Sequence, residues 1–304
     1  MTDRLAGEAE WPHLLDSADM PWLAGSLALR SVAHKRKNSL MHLDLEGKVV
    51  FITGAGRGIG RAIAEAFVQE EATVVVSDIT DEAVSWFEPA RVAADIEGVA
   101  MTCDVRSTDS VRTAIGRTVE EFGRIDVLIN NAGILGEGLI EETDADTWNR
   151  VFDVNVTGIF RTCQAVIPAM KRQGSGRIIN AASFAAIVPS IGSAAYAASK
   201  AAVVQFTRSL AGELGPWNIT ANAYAPGMIP SAINNFTQQA PNVQQRLLDT
   251  LTLRRWGEAS EVSDLLCFLA SDASRYITGT LIDVSGGKLA TQLPQRAYEI
   301  AGMR

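Results

Sequence analysis

Short apolar runs alternate with helical patterns along most of this 304-residue chain, and that alternation limits the fold more than any other feature. The runs are rich in β-branched residues and carry few charges, as is typical of parallel strands covered on both faces. Between the third and fourth runs, apolar residues from Val111 to Phe122 recur at helical spacing. The predicted strands are residues 49–52, 73–76, 99–101, 125–129, 177–179 and 219–223.

The alternation predicts an α/β protein with a three-layer, doubly wound Rossmann fold and a parallel sheet, in a single domain at residues 44–288. Residues 1–43 and 289–304 are predicted to be N-terminal and C-terminal extensions. For the first extension three interpretations stay open: a flexible leader, an arm that packs on a partner subunit, or an over-extended gene start with Met41 as the initiator. The role of the second extension also stays open.

Charge and composition exclude several classes of partner. Lys and Arg total 27 against 35 Asp and Glu, so the net charge of −8 offers no basic field for nucleic acid or an anionic membrane. The apolar run at residues 21–29 is much shorter than the roughly 20 residues needed to cross a bilayer. Three cysteines without a CxxC pair indicate a reducing, cytoplasmic setting, and all three histidines precede the domain, so no metal site is predicted.

The first predicted strand runs into a glycine-rich turn and then a helix, with the sequence Thr53-Gly54-Ala55-Gly56-Arg57-Gly58-Ile59-Gly60. Such glycines let the backbone approach a pyrophosphate, and the helix N-terminus offers unpaired N–H groups. The turn alone is weak evidence, but Asp78 at the end of the second strand strengthens it. This carboxylate would accept hydrogen bonds from adenosine ribose and repel a 2′-phosphate, which favours NAD(H). Arg57 could pair with such a phosphate, so NADP(H) is not excluded.

The turn resembles the TGxxxGxG motif of the short-chain dehydrogenase/reductase family, in its single-domain branch. Later residues follow that family's order, with Asn130-Asn131-Ala132-Gly133 after the fourth strand and Pro226-Gly227 after the sixth. The spacing from Tyr196 to Lys200 matches the family's YxxxK motif. The resemblance extends to Gly287 and implies an NAD(P)-dependent oxidoreductase that assembles as a homotetramer.

Four residues are predicted to be catalytic: Asn155, Ser183, Tyr196 and Lys200. A tyrosine titrates near pH 10, so acid/base work at neutral pH requires help from a positive charge, and Lys200 lies one helical turn away on the same face. The resemblance also implies that Lys200 binds the nicotinamide ribose, that Ser183 holds the substrate oxygen and that Asn155 holds a water in a proton relay.

The cofactor-binding residues follow from the turn, from Asp78 and from the resemblance. Asp104 and Val105 would lie along adenine, although the same region could simply cap a helix through Ser107. Ser231 stands where the family often has Thr, and Ser285 replaces a frequent Asp before two glycines. The full predicted set is Gly54, Arg57, Gly58, Ile59, Gly60, Asp78, Ile79, Asp104, Val105, Asn131, Ala132, Gly133, Tyr196, Lys200, Pro226, Gly227, Ile229 and Ser231.

The substrate side is predicted to come from residues 134–138, 184–192 and 228–256, the last of which is either a mobile lid over an apolar pocket or an ordinary surface loop. No Arg or Lys is clearly placed to bind a substrate anion. The main prediction is therefore hydride transfer between NAD(H) and a mostly apolar secondary alcohol or ketone. The alternatives are an NADPH-dependent 3-oxoacyl-thioester reductase and a non-catalytic dinucleotide-binding module, although intact Ser183, Tyr196 and Lys200 argue against the latter.

Overall fold

The predicted apolar runs become neighbouring strands in the computed structural model, which describes residues 43–231, 234 and 236–303. The extension at residues 1–42, including Met41, lies outside the described residues. The strands are β1 (Val49–Thr53), β2 (Thr73–Asp78), β3 (Gly98–Thr102), β4 (Val127–Asn130), β5 (Gly176–Ala181), β6 (Ile219–Pro226) and β7 (Leu281–Val284).

Within the described residues these seven strands form one sheet in the order β3-β2-β1-β4-β5-β6-β7, with every neighbouring pair parallel. β1, β4 and β5 are buried along their whole length, which agrees with their apolar sequences. The predicted parallel sheet is thus confirmed. The order reverses direction between β1 and β4, and a crevice opens at such a point outside the carboxyl ends of the strands.

Helices cover both faces of the sheet and complete the three layers. Apolar side chains of α1, α3 and α9 pack on one face, and those of α4, α6 and α7 pack on the other. None of the helices in the described ranges is long and apolar enough to span a membrane. The helices are α1 (Gly58–Gln69), α2 (Asp81–Val84), α3 (Phe87–Ala94), α4 (Thr108–Phe122), α5 (Ala145–Phe152), α6 (Gly158–Gln173), α7 (Ala194–Leu214), α8 (Pro241–Leu248), α9 (Ala259–Ala270) and α10 (Gln295–Ile300).

The fourth strand differs from its predicted range of 125–129. It begins at Val127, one residue after Asp126, whose carboxylate accepts a hydrogen bond from the Val49 N–H at 2.9 Å and pairs with Arg124. It then continues to Asn130, which brings the following residue to the edge of the crevice. The boundaries predicted for the domain and its two extensions stay predictions.

Candidate active site

The loops that follow the strands line a cleft of about 960 Å³, a volume within the range of cofactor and ligand sites. We call the part beside β1 to β4 the cofactor half, and the part beside residues 134–137, 184–193, 234 and 236 the substrate half. The structure brings together every residue predicted to bind the cofactor, although their contacts with it stay predictions. These lining residues are Gly54, Arg57, Gly58, Ile59, Gly60, Asp78, Ile79, Asp104, Val105, Asn131, Ala132, Gly133, Tyr196, Lys200, Pro226, Gly227, Ile229 and Ser231.

The glycine-rich turn passes close to its own backbone and leaves a helix end open to the cleft. Gly54 has a φ of +65°, and a Cβ on Gly60 would lie 2.1 Å from the Gly54 carbonyl oxygen. No side chain caps the N-terminus of α1, whereas the side chains of Thr80 and Ser107 cap α2 and α4. The first N–H groups of α1 therefore fit an anionic pyrophosphate.

Asp78 at the end of β2 is held by two backbone hydrogen bonds. Its Oδ2 accepts the Gly56 N–H at 2.9 Å, and its Oδ1 accepts the Ile79 N–H at 2.7 Å. These contacts orient the carboxylate, and its remaining acceptor capacity suits a ribose diol. Arg57 is exposed and forms none of the ion pairs found in the described part of the chain. The cleft thus contains both the Asp78 carboxylate, which favours NAD(H), and the Arg57 guanidinium, which could pair with the 2′-phosphate of NADP(H).

The β3 and β4 ends complete the cofactor half. Hydrogen bonds from Arg106 hold the pKa of the Asp104 carboxyl below its usual value. Ser107 caps α4 by accepting the Ser110 N–H at 3.2 Å, so the helix-cap interpretation is correct for Ser107, while Asp104 still lines the cleft.

Two supporting residues of this half escaped the sequence analysis. The Thr53 hydroxyl accepts the N–H groups of both Asn131 and Ala132 at 3.1 Å, and the Tyr224 hydroxyl donates to Asn131 Oδ1 at 3.1 Å. Thr53 was recognisable as the first residue of the glycine motif. Tyr224 had no local signal, because its partner is 93 positions away in the chain.

Ser183 and Tyr196 face each other across the cleft floor. Ser183 begins the turn after β5 and accepts the Ala185 N–H at 3.1 Å, whereas Tyr196 lies in the first turn of α7. Burial raises the pKa of the Tyr196 phenol above its usual value, and a hydrogen bond with Ser183 offsets part of that rise. The two oxygens are therefore arranged to meet one substrate oxygen.

Lys200 is buried beneath this pair. Its Nζ donates to the Ala181 carbonyl at 2.7 Å and lies 5.6 Å from the centre of the Tyr196 ring. Burial lowers the pKa of Lys200 to about 8. Burial outweighs the hydrogen bond with Ser183 in setting the pKa of the Tyr196 phenol, and the expectation that the Lys200 charge lowers that pKa stays a prediction.

Asn155 lies in a π-helical turn (Asp153–Thr157) between α5 and α6 and is fully buried behind the cleft wall. Its Oδ1 accepts the Ile134 N–H at 2.9 Å, and its Nδ2 donates to the Ile134 carbonyl and to Ser199 Oγ, both at 3.0 Å. Both amide hydrogens are thus engaged. The side chain therefore ties the loop after β4 to α7, and the water-holding role of Asn155 stays a prediction.

The segment at residues 228–256, predicted to be either a mobile lid or an ordinary surface loop, has buried anchors and also a side chain that lines the cleft. Its mobility stays a prediction. Met228 and Leu251 are buried anchors, and the Gly257 N–H joins the two ends of the lid by donating to the Met228 carbonyl at 3.1 Å. In between, Phe236 lines the cleft and stacks on Trp256 with ring centres 5.5 Å apart. Part of this loop therefore forms a wall of the substrate half.

One cation at the cleft, Arg150, was not singled out by the sequence analysis as a partner for a substrate anion. Arg150 of α5 lines the cleft together with Val154 of the π-helical turn that follows. It is exposed, and it takes part in none of the ion pairs among the described residues. Its position was not visible in the sequence because α5 lacks any catalytic motif.

Comparison with known proteins agrees with this geometry. A family model described as enoyl-(acyl carrier protein) reductase matches residues 54–288. The 3-oxoacyl-[acyl-carrier-protein] reductase of Thermotoga maritima is 39% identical over 251 residues, which cover 81% of this chain and 99% of that protein. The Staphylococcus epidermidis protein of the same name is 38% identical, covering 79% of this chain and 98% of its own.

Solved structures of a named reductase and a named dehydrogenase also resemble this chain. Levodione reductase superimposes with a TM-score of 0.78 at 33% identity, covering 81% of this chain and 99% of its own. NAD⁺-bound xylitol dehydrogenase superimposes with a TM-score of 0.77 at 32% identity, covering 80% of this chain and all of its own. The chain belongs to the short-chain dehydrogenase/reductase family. It is accordingly an oxidoreductase of a family that binds nicotinamide dinucleotides.

Proposed function

We propose that this chain reduces the ketone of a 3-oxoacyl thioester, with NADH as the reductant. The observation that carries the proposal is the joint placement of Ser183, Tyr196 and buried Lys200 at the floor of one cleft. The thioester is supported by the relatives named as 3-oxoacyl-[acyl-carrier-protein] reductases. Arg150 at the cleft supports it independently, because a phosphopantetheine arm carries a phosphate that a guanidinium binds well.

The residues of the cleft floor account for the proton transfer. A bound nicotinamide dinucleotide supplies the hydride that adds to the carbonyl carbon. Ser183 holds the carbonyl oxygen, and Tyr196 donates its phenolic proton to that oxygen as the alcohol forms. The Lys200 ammonium stabilises the resulting phenolate. Burial keeps the Tyr196 phenol protonated, as a proton donor requires.

NADH is proposed over NADPH on the basis of Asp78. Its carboxylate is oriented by the Gly56 and Ile79 backbone, as described above, and would repel a 2′-phosphate. The structural neighbour with bound NAD⁺ supports this choice, whereas exposed Arg57 is the feature that would favour NADPH. The homotetramer implied by the family resemblance stays a prediction.

A mostly apolar ketone or secondary alcohol is the second candidate substrate. Leu135, Phe184, Ile191 and Phe236 line the substrate half and would cover an apolar ligand. The similarity to levodione reductase points in the same direction. A purely non-catalytic binder is disfavoured, because binding alone does not require a phenol and an ammonium beside the cofactor.

The deciding experiment compares substrates that share a ketone and differ in the carrier. NADH oxidation is measured with a 3-oxoacyl-CoA, the same acyl group on acyl carrier protein, and a simple ketone of equal chain length. We expect kcat/KM to be at least about tenfold higher for a thioester than for the simple ketone. Equal or better use of the simple ketone would favour the second candidate.

Arg150 offers a sharper form of that comparison. Arg150→Ala should remove most of the advantage of the phosphate-bearing thioesters and leave the simple ketone unaffected. Arg112→Ala is the matched control, because Arg112 is an exposed arginine on α4 that does not line the cleft. A similar loss in both variants would mean that Arg150 does not contact the carrier arm.

A further inference from the structure

The C-terminal residues 288–303, here called the tail, begin in contact with the base of the lid. Lys288 Nζ donates to Thr250 Oγ1 at 2.5 Å, and Thr252 Oγ1 donates to the Gly287 carbonyl at 2.9 Å, one residue before the tail. A Cβ on Gly287 would lie 2.5 Å from the Thr252 side chain, so this side chain packs directly against the Gly287 backbone. The lid base, residues 249–256, is thus bound to the chain that leads into the tail.

The helix α10 adds a second attachment further along the tail. The Tyr298 hydroxyl donates to the Thr252 carbonyl at 2.8 Å. The ring of Tyr298 lies 4.7 Å from the Arg254 guanidinium, within the range of a cation–π contact. Arg254 also pairs with Asp249 at the other end of the lid base. One tyrosine therefore contacts the lid base through both its hydroxyl and its ring.

The backbone of Arg254, in the lid base, adopts an unfavourable conformation. Its φ is +48°, a left-handed conformation that non-glycine residues adopt at a cost in energy. The ion pair with Asp249 and the Tyr298 ring hold the side chain in place. Loss of the Tyr298 ring would therefore remove one of the contacts that maintain this conformation.

The lid base leads directly to the substrate half of the cleft. Trp256 follows Arg254 by two residues and stacks on Phe236 at an interplanar angle of 8°. Phe236 lines the cleft. Tyr298 is thus linked to Phe236 by its contacts with the lid base, by the two backbone steps from Arg254 to Trp256, and by the aromatic stack. None of these residues belongs to the predicted catalytic or cofactor-binding set.

We propose that the tail positions the lid wall of the substrate half, with Tyr298 and Arg254 as the positioning residues. The proposal rests on the proposed function, because it takes the carbonyl substrate to bind in that half. The tail thereby affects substrate binding from outside the cleft. Its effect on the cofactor half is smaller, since that half is built on β1 to β4, which the tail does not contact through these residues.

The test compares full-length Tyr298→Ala and Tyr298→Phe with the control Ile300→Ala. Ile300 lies on the same short helix and is 75% exposed, so its truncation removes a largely solvent-exposed side chain of the tail. Each protein is assayed for KM and kcat with the carbonyl substrate and for NADH affinity by fluorescence. Trypsin cleavage after Arg246, an exposed residue of the lid helix α8, reports opening of the lid.

Tyr298→Ala should raise KM about fivefold and speed cleavage after Arg246 by a similar factor, with NADH affinity changed less than about twofold. Tyr298→Phe keeps the ring over Arg254 and should show a smaller rise, and Ile300→Ala should match the parent protein. Unchanged KM and cleavage in both Tyr298 variants would overturn the proposal, as would equal effects on KM and NADH affinity. If Tyr298→Ala does not fold, Tyr298→Phe carries the same decision.

The two proposals fail in different ways. A parent protein that reduces no carbonyl compound would overturn the proposed function alone, because the cleavage measurement still reports whether the tail holds the lid. A parent protein that is active, with variants unaltered in KM and in cleavage, would overturn the tail proposal alone.

Discussion

The two halves of the cleft are built from different kinds of structure. In the cofactor half, side chains such as Thr53 and Asp78 are fixed by backbone N–H groups at the ends of buried strands. In the substrate half, much of the wall comes from loops, and contacts such as the Phe236–Trp256 stack join side chains within the lid. The first half is positioned by the core of the protein, and the second by contacts within the lid and with the tail.

This difference explains how one fold can keep its cofactor chemistry while its substrates vary. Hydrogen bonds between a strand end and its neighbour persist as long as the sheet is intact, because they share its geometry. A stacked pair of aromatic side chains on a loop can be replaced without disturbing the sheet. The comparison predicts that substitutions in the cofactor half alter cofactor affinity. Substitutions in the substrate half or at the catalytic residues should instead alter KM or turnover.

The largest effect is expected for Tyr196→Phe, which should greatly reduce turnover and leave NADH binding in the cofactor half unchanged. The variant keeps the ring in place but cannot give a proton to the substrate oxygen, so kcat should fall by about 10³-fold. NADH affinity, measured by fluorescence, should stay within about twofold of the parent value.

Tyr276→Phe is the control for this substitution, because Tyr276 is 99% exposed and lies outside the cleft. It should leave kcat unaltered. Retention of most of the turnover in Tyr196→Phe would mean that another group is the acid, and a parallel loss of NADH affinity would mean that the two halves are not separable at this position.

The next effect concerns Lys200, which lies beneath both halves. Its pKa is lowered by burial from 10.5 to about 8, so between these values the unfolded chain holds a proton that the folded chain has released. Stability therefore rises with pH across that window, by about 3 kcal/mol for this group. Below pH 8 both states are protonated, and the contribution of this group no longer depends on pH.

Lys200→Met isolates this contribution. Urea unfolding of the parent and the variant between pH 7 and 10.5 should give a free-energy difference that moves in favour of the parent protein as the pH rises above about 8. Other titrating groups cancel in that difference because both proteins contain them. Two parallel stability curves would show that the buried Lys200 keeps its ordinary pKa.

Much of the cofactor half could be predicted from sequence because its signals are local. The glycine turn, Asp78 and the Tyr196–Lys200 pair each combine a residue type with a spacing inside one element or at its end. The contacts of the Asn155 side chain could not be predicted, because its partners Ile134 and Ser199 are distant in sequence. Motif spacing predicts that a side chain lies near a site but does not reveal which hydrogen bonds it makes.

The substrate half was less predictable for a related reason. Arg150 lines the cleft from α5, an element that contains no motif. Tyr298 meets Thr252 across 46 positions, in a segment whose sequence suggested only an extension. The sequence showed the charge near Tyr196 but not the burial that raises the pKa of its phenol. Burial depends on the whole fold.

The smallest effect is expected for Asp78→Asn, which tests the cofactor half without altering the substrate half. Asparagine can still accept the Gly56 N–H but removes the negative charge that would face a 2′-phosphate. The preference for NADH over NADPH, taken as the ratio of their dissociation constants, should fall about tenfold, while kcat with saturating NADH stays near the parent value.

Asp95→Asn is the matched control for that change, since Asp95 is an exposed acid at the end of α3 and does not line the cleft. It removes the same charge from the protein surface and should leave the ratio unaltered. If Asp78→Asn also leaves it unaltered, Arg57 becomes the residue that decides cofactor choice. Because Asp78 is oriented by backbone groups at the strand end, its substitution should leave KM for the carbonyl substrate unchanged, as separable halves require.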